Sequence, residues 1–323
     1  MIIVFYFIIK DDYQNIINTI AGANRWLILF AILLIFVYYY LKAKCMYVIA
    51  KEQSKKITFK KMFNQTLITQ FFNGITPFST GGQPMQAYML KKTGLPIGQA
   101  TSIIIQDFLV YQLALITIGI VALIINRIFG IININIALYS LIILGFIINI
   151  GIGLCLIFIS FSKKFNTFVG KFLIKVLSKL RIVKDKEKTI DTLEEKLEEF
   201  HDSSAIFKKR KGLLTRCYFY NVLALAVLYS IPFVIFLSLN PNSGITIMQS
   251  ITSSAFVLLV GNFVPIPGGS GGIEFCFSTI FGGLLNNTTL VSSALLTWRV
   301  ITYYLGIIIG GIALAFFRGS EKK

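Results

Sequence analysis

Apolar residues fill the stretches 27–49, 100–125, 134–160, 213–239 and 290–317 with little interruption. Each reaches the ~20 residues an α-helix needs to cross a hydrocarbon core, so the pattern predicts five transmembrane spans. The opening segment 1–9 is apolar but too short to cross. No small-residue cleavage site follows it, so it reads as the tail of a short first span rather than as a signal peptide. Two further apolar regions, about 62–80 and 246–285, are broken by Gly and Pro near their middles. Broken backbone at bilayer depth is tolerated only where it is buried in protein or lines a polar cavity, so both regions predict re-entrant hairpins. The expected fold is an all-α polytopic membrane protein, with five full spans, a short N-terminal one and two Gly/Pro hairpins in an inverted repeat. It forms one transmembrane domain over residues 1–323.

Composition agrees with this pattern. A chain of 323 residues that is 55% hydrophobic and only 14% charged has too few charges to cover a soluble domain. Its mean hydropathy is +0.75. A net charge of +17 could suggest a nucleic-acid partner, but the lysines sit in loops between apolar runs rather than on a basic module. Anionic phospholipid headgroups are the expected counter-charge, and no nucleic acid is expected. Cys45, Cys155, Cys217 and Cys276 are scattered singly and His201 is the sole histidine, so neither a disulfide framework nor a metal site is predicted. No nucleotide-binding motif occurs and no cofactor is expected.

Lysine and arginine counts in the connecting segments set the orientation, because the cytoplasmic side keeps the positive excess. Residues 42–61 hold seven, 162–216 hold fifteen and 318–323 hold three, against one in 126–133 and none in 240–245 or 286–289. The alternation places the large loop and the C-terminus in the cytoplasm of a multi-pass cell-membrane protein. It makes the first hairpin enter from inside and the second from outside, each followed by a full span. Such inverted repeats build transport pathways where broken helices meet.

The loop at 162–212 is predicted to be basic and amphipathic. Phe165, Phe168, Val169, Phe172, Leu173, Val176, Leu177 and Leu180 recur at helical spacing, while Lys171, Lys175 and Lys179 lie off that stripe. This helix is expected to lie on the inner leaflet, its lysines against the lipid surface. The stretch 185–200 carries seven acidic residues and an apolar face of Ile190, Leu193, Leu197 and Phe200. It predicts a solvated helix packed on its neighbour, with His201 in an exposed loop at its end.

Assigning the other charges to loops leaves Asp107, Glu274 and Arg299 inside the apolar segments. Each would cost about 2.5–3.5 kcal/mol unpaired at a helix centre, so they must be paired, hydrated or neutralised. Arg299 is expected to face a central cavity, with Asp107, Glu274 or a substrate phosphate as its partner. Glu274, just after Gly271 and Gly272, also suits a helix first turn, where free amides favour a carboxylate. The candidate substrate-facing set is Thr76, Pro77, Gly81, Gly82, Gln83 and Gln86 in the first hairpin, Asp107 in the span after it, Pro265, Pro267, Gly268, Gly269, Gly271, Gly272 and Glu274 in the second hairpin, and Arg299. The polar groups of the first hairpin are neutral and suit either repair of broken backbone or a headgroup.

The runs TPFSTGGQPMQAYMLKKTG and PIPGGSGGIE, with a late span bearing WRVITYY, resemble the flippase-like integral membrane family named after the transmembrane region of lysylphosphatidylglycerol synthase. The resemblance extends over about residues 27–317. In much of that family the first motif carries a Glu and later an Arg where this chain has Gln83 and Gln86, a departure that removes two charges. The resemblance implies a helical domain that moves lipids, notably aminoacylated phosphatidylglycerol, between leaflets. The family's bifunctional members carry a soluble C-terminal domain that transfers lysine from lysyl-tRNA. Here the chain ends at Lys323, six residues past the last predicted span, so no lysyl transfer by this chain alone is expected. A lipid translocator is the leading expectation, working as a homodimer or beside a lipid-modifying enzyme. The alternatives are a membrane subunit of a phosphatidylglycerol lysyltransferase system and an ion-coupled carrier in which Asp107 and Glu274 are the coupling carboxylates.

Overall fold

The computed structural model describes residues 12–132, 136–169, 172, 186–261 and 264–321, and among them every regular element is helical. In chain order these are α1 (Tyr13–Ala21), α2 (Arg25–Lys51), α3 (Phe59–Ile75), α4 (Gly82–Lys92), α5 (Ile97–Phe129), α6 (Ile136–Phe161), α7 (Lys186–Lys209), α8 (Lys211–Leu239), α9 (Ile247–Gly261), α10 (Gly272–Leu285), α11 (Thr288–Arg299) and α12 (Leu305–Glu321). Among the described residues, five helices are long and apolar enough to cross a membrane: Arg25–Lys51, Ile97–Phe129, Ile136–Phe161, Gly212–Leu239 and Thr288–Phe317. They coincide with the five predicted spans. The last one contains a π-helical segment, Val300–Tyr304, joining α11 to α12. The N-terminal segment 1–9 lies outside the described residues.

The element order repeats. A long helix, a short helix, a tight turn, a short helix and a second long helix form α2 to α5, and the same series forms α8 to α12. The first hairpin extends further than its apolar stretch indicates, because its second arm α4 runs to Lys92 and includes the polar Gln83, Gln86, Lys91 and Lys92. The two halves pack through α2 against α8 and α3 against α12. The α3–α12 contact depends on Gly310, where an added Cβ would stand 2.4 Å from the Leu67 carbonyl and 2.9 Å from Phe71 Cβ. A small residue there lets the two backbones approach, as at many helix contacts in lipid.

The interior divides into two large apolar clusters. One gathers residues such as Ile35, Leu115, Tyr229, Phe256, Phe277 and Trp298, and the other gathers Cys45, Met62, Leu90, Ile103, Phe207 and Cys217. Pro232 lies inside α8, where it lacks the amide that would bond the Leu228 carbonyl and its ring disturbs the preceding turn. Ser250 on α9 repairs the break. Its hydroxyl accepts from Phe233 N at 3.0 Å and donates to Tyr229 O at 2.9 Å, and Ser254 donates to the same carbonyl at 3.2 Å. A buried proline kink is thus tolerated because a neighbouring helix supplies the missing partners.

Acidic α7 packs against the beginning of α5. Glu199 Oε2 accepts the Gly98 amide at 3.0 Å, and Ser102 and Ser204 hydroxyls meet at 2.9 Å, both buried. Packing on a neighbour was expected, but His201 is not in a loop: it lies within α7, half-buried, with Nε2 enclosed and unpartnered. The expectation failed because α7 continues to Lys209, past the end of the acidic run. Burial lowers the His201 pKa below its ordinary 6.5, helped by Lys163 and opposed by Asp202. The unfolded chain therefore binds the proton more readily than the folded one. The stabilisation from neutral His201 is complete above pH about 6.5 and is lost as pH falls through the lower folded value. Protection of the amides of residues 194–204, measured as exchange relative to the intrinsic rate at each pH, is expected to fall between pH 7.5 and 5.5 in the wild type, and less so in His201→Gln. Lys171, Lys175 and Lys179, expected on the lipid surface, lie outside the described residues.

Candidate functional site

Each hairpin turns through one short 3₁₀ segment, Pro77–Ser79 and Pro267–Gly269, and the two segments follow the same backbone path. Pro77 matches Pro267. Phe78 (φ 54°) and Ser79 (φ 53°) match Gly268 (φ 66°) and Gly269 (φ 64°). Gly82 and Gly272 then open α4 and α10. The sequence disguises this repeat, because Phe78 and Ser79 hold left-handed conformations that glycine adopts without strain. Such conformations cost side-chain-bearing residues about 1–2 kcal/mol each and cluster where function constrains backbone.

The first tip repairs its own backbone. Asn73 Oδ1 accepts from Gly82 N at 3.0 Å, and Thr76 Oγ1 accepts from Gly81 N at 2.9 Å while donating to Phe72 O at 2.7 Å. In this way Asn73 and Thr76 cap the start of α4. Pro77, Phe78, Ser79 and Thr80 are exposed at the tip. Gln83 and Gln86 follow on α4, where Gln83 Oε1 is buried without a partner.

The second tip is buried and charged. Its turn residues Gly269 and Ser270 are enclosed, whereas Pro265 and Ile266, which lead into the turn, are exposed. Glu274 reaches back to cap α10, its Oε2 accepting from Gly271 N at 2.7 Å, and its Oε1 lies 2.7 Å from Arg299 Nη2. The two side chains are 2% and 3% exposed. Arg299 Nη1 donates to Gly268 O at 3.0 Å, and its guanidinium lies 5.4 Å from the centre of the Tyr303 ring. Capping and ion pairing are therefore one arrangement, and Glu274 is the partner of Arg299. The π-helical segment begins at the next residue, Val300, and carries Tyr303; such segments recur at functional sites.

Tyr303 joins the halves. Its hydroxyl donates to Gly74 O at the end of α3 at 2.7 Å, and its ring covers Gly268. The two 3₁₀ turns touch each other. The contact sequence Glu274, Arg299, Gly268, Tyr303, Gly74 thus ties the charged tip to the neutral one.

Asp107 is not part of this group. Its Oδ2 lies 3.8 Å from Lys42 Nζ, which donates to Asn221 Oδ1 at 2.8 Å and sits 4.5 Å from the centre of the Tyr111 ring. Lys42 falls both in the predicted span 27–49 and in the lysine count for 42–61, which left it out of the interior charges; α2 runs on to Lys51 and holds it inside. The signal available in the sequence was helical spacing, since Lys42 stands three residues from buried Cys45 on the same helix face. Four charges, in two pairs, therefore occupy the interior of the described residues.

The fold and these tips define a polytopic helical membrane protein built from two broken-hairpin halves that meet at buried, paired charges. Residues 1–310 match the family described as the lysylphosphatidylglycerol synthase TM region, and the chain belongs to that family. It is similar to a UPF0104 membrane protein of Archaeoglobus fulgidus, with 24% identity covering 93% of this chain and 89% of the relative. It is also similar to a protein of Mycoplasma pneumoniae described as an uncharacterized protein MG306 homolog, with 24% identity covering 96% of this chain and 82% of the relative.

Proposed function

We propose that the protein moves lipid headgroups between the leaflets of the cell membrane, its C-terminus cytoplasmic and its two hairpins re-entrant from opposite faces. The observation that carries this reading is the meeting of two broken hairpins around the fully buried Arg299–Glu274 pair. Interrupted helices whose polar ends converge inside an apolar bundle suit a substrate with a polar head and tails that stay in lipid. Family membership supports a lipid as the substrate, and anionic phosphatidylglycerol or its aminoacylated form is the first to test. The long cytoplasmic lysine-rich segments would draw such lipids to the inner surface.

Reconstitution in phosphatidylglycerol vesicles containing fluorescent lipids tests this, with quencher added outside to count molecules in each leaflet. The wild type is expected to equilibrate the leaflets well above the protein-free rate. Glu274→Gln is expected to slow exchange at least about tenfold, the scale of one lost charge-assisted contact. Absence of exchange with every headgroup would sink the proposal.

A further inference from the structure

A buried polar layer lies within the first half, away from the Arg299–Glu274 pair. Met62 on α3, Leu90 on α4, Ile103 on α5, Cys45 on α2 and Cys217 on α8 belong to one apolar cluster. Gln65, Gln86, Gln106, Lys42 and Asn221 each stand three or four residues from one of these, about one helical turn. Short connections make α2, α3, α4 and α5 successively antiparallel, so each of their steps leads toward the side of the first hairpin's tip. Asn221 joins the same layer through its bond to Lys42.

The layer is closed but not satisfied. Gln106 has no exposed surface, and neither its Oε1 nor its Nε2 has a partner. Gln65 is 1% exposed, with Oε1 unpartnered and Nε2 held only by the Gln86 carbonyl at 3.5 Å. Asp107 Oδ1 is also unpartnered, as is Gln83 Oε1 one turn nearer the tip. Buried polar groups nearly always find partners, so a group of them left unmade on three adjacent helices marks a place where something else supplies the hydrogen bonds. Four of these five unmade positions are oxygens, so the missing partner must chiefly donate.

Ammonium groups, metal cations and hydroxyls, water's included, can all donate to, or be held by, such oxygens. The charge of the layer separates them. Lys42 and Asp107 sum to zero, so a cation would add net charge inside a bilayer, which lowers occupancy on the order of a hundredfold. An anion would add the opposite charge and meet unmade acceptors. A hydroxyl adds no charge, donates to one oxygen and still accepts from the Gln106 amide. The absence of charge at Gln83 and Gln86 fits the same chemistry.

We infer that the layer formed by Gln65, Gln83, Gln106, Asp107 and Lys42 binds the vicinal hydroxyls of a lipid headgroup, a sugar or a glycerol. This deepens the lipid-translocation reading and rests on it.

The full-length chain in mixed micelles is titrated with glucosyl-diacylglycerol, phosphatidylglycerol and phosphatidylethanolamine, and thermal stabilisation is read for each. Both hydroxyl-bearing lipids are expected to bind at least about tenfold more tightly than phosphatidylethanolamine, because an unmade polar site discriminates by hydrogen bonds. The comparison between the first two tells sugar from glycerol. Gln106→Leu is expected to abolish that preference while raising the stability of the lipid-free protein, since it removes an unsatisfied buried amide. Equal binding of phosphatidylethanolamine, or a Gln106→Leu variant that keeps the preference, would overturn the assignment. Exchange of ammonium headgroups in preference to hydroxylated ones would overturn it while leaving lipid movement intact. A failure of every lipid to bind or exchange would remove both.

Discussion

Arg299→Leu is expected to destabilise the protein by about 3–5 kcal/mol, because it leaves the Glu274 carboxylate buried without its counter-charge. The loss comes less from the attraction of the pair than from the charge stranded by breaking it. Glu274 keeps one partner, the Gly271 amide, but its Oε1 faces only the space vacated by the guanidinium. The Gly268 carbonyl loses its donor at the same time. The double variant Arg299→Leu with Glu274→Gln removes both charges and is expected to recover much of the stability, though none of the leaflet exchange. Unfolding in mixed micelles of rising sodium dodecyl sulfate concentration measures the first effect, and the vesicle assay measures the second. A single variant as stable as the wild type would show that the pair is not closed in the membrane-embedded protein.

Gly268→Ala is expected to cost about 2–4 kcal/mol, from two additive causes. The residue sits at φ 66°, where a side chain is strained whatever the space. An added Cβ would also stand 2.2 Å from Tyr303 Cε2 and 2.6 Å from Cζ, well within van der Waals contact. The ring cannot turn away freely, because its hydroxyl is bonded to Gly74 O across the two halves. Strain at one tip is therefore expected to release the other, seen as faster hydrogen exchange around residues 74–82. Gly283→Ala is the control. It lies in α10 with nothing within 4 Å of an added Cβ, so the change is expected to be neutral or slightly stabilising. Adding Tyr303→Ala to Gly268→Ala removes the clash and leaves only the backbone term, so the double variant separates the two causes.

Both effects arise at positions whose chemical type was legible in the sequence and whose partners were not. Apolar length alone located the five long helices, since crossing a hydrocarbon core demands a run of a fixed size. Gly and Pro located both turns, because few other residues permit so sharp a break. The cost of burying charge singled out Asp107, Glu274 and Arg299 before any contact was known. The same argument missed Lys42, because it was counted with the loop lysines of 42–61 although it also falls in the apolar stretch 27–49, and α2 runs unbroken through it to Lys51. The correspondence of Phe78 and Ser79 with Gly268 and Gly269 was hidden as well, being a likeness of backbone conformation and not of residue type.

Local periodicity and transfer cost therefore determined the membrane class, the helices and the breaks, because each depends on residues close together in the chain. Only the tertiary structure decided that Glu274 pairs with Arg299, that Asp107 pairs with Lys42 and that Tyr303 fastens one hairpin to the other. Those pairings join residues 25 to 229 positions apart, and no local preference specifies which of several buried charges will meet once the helices pack.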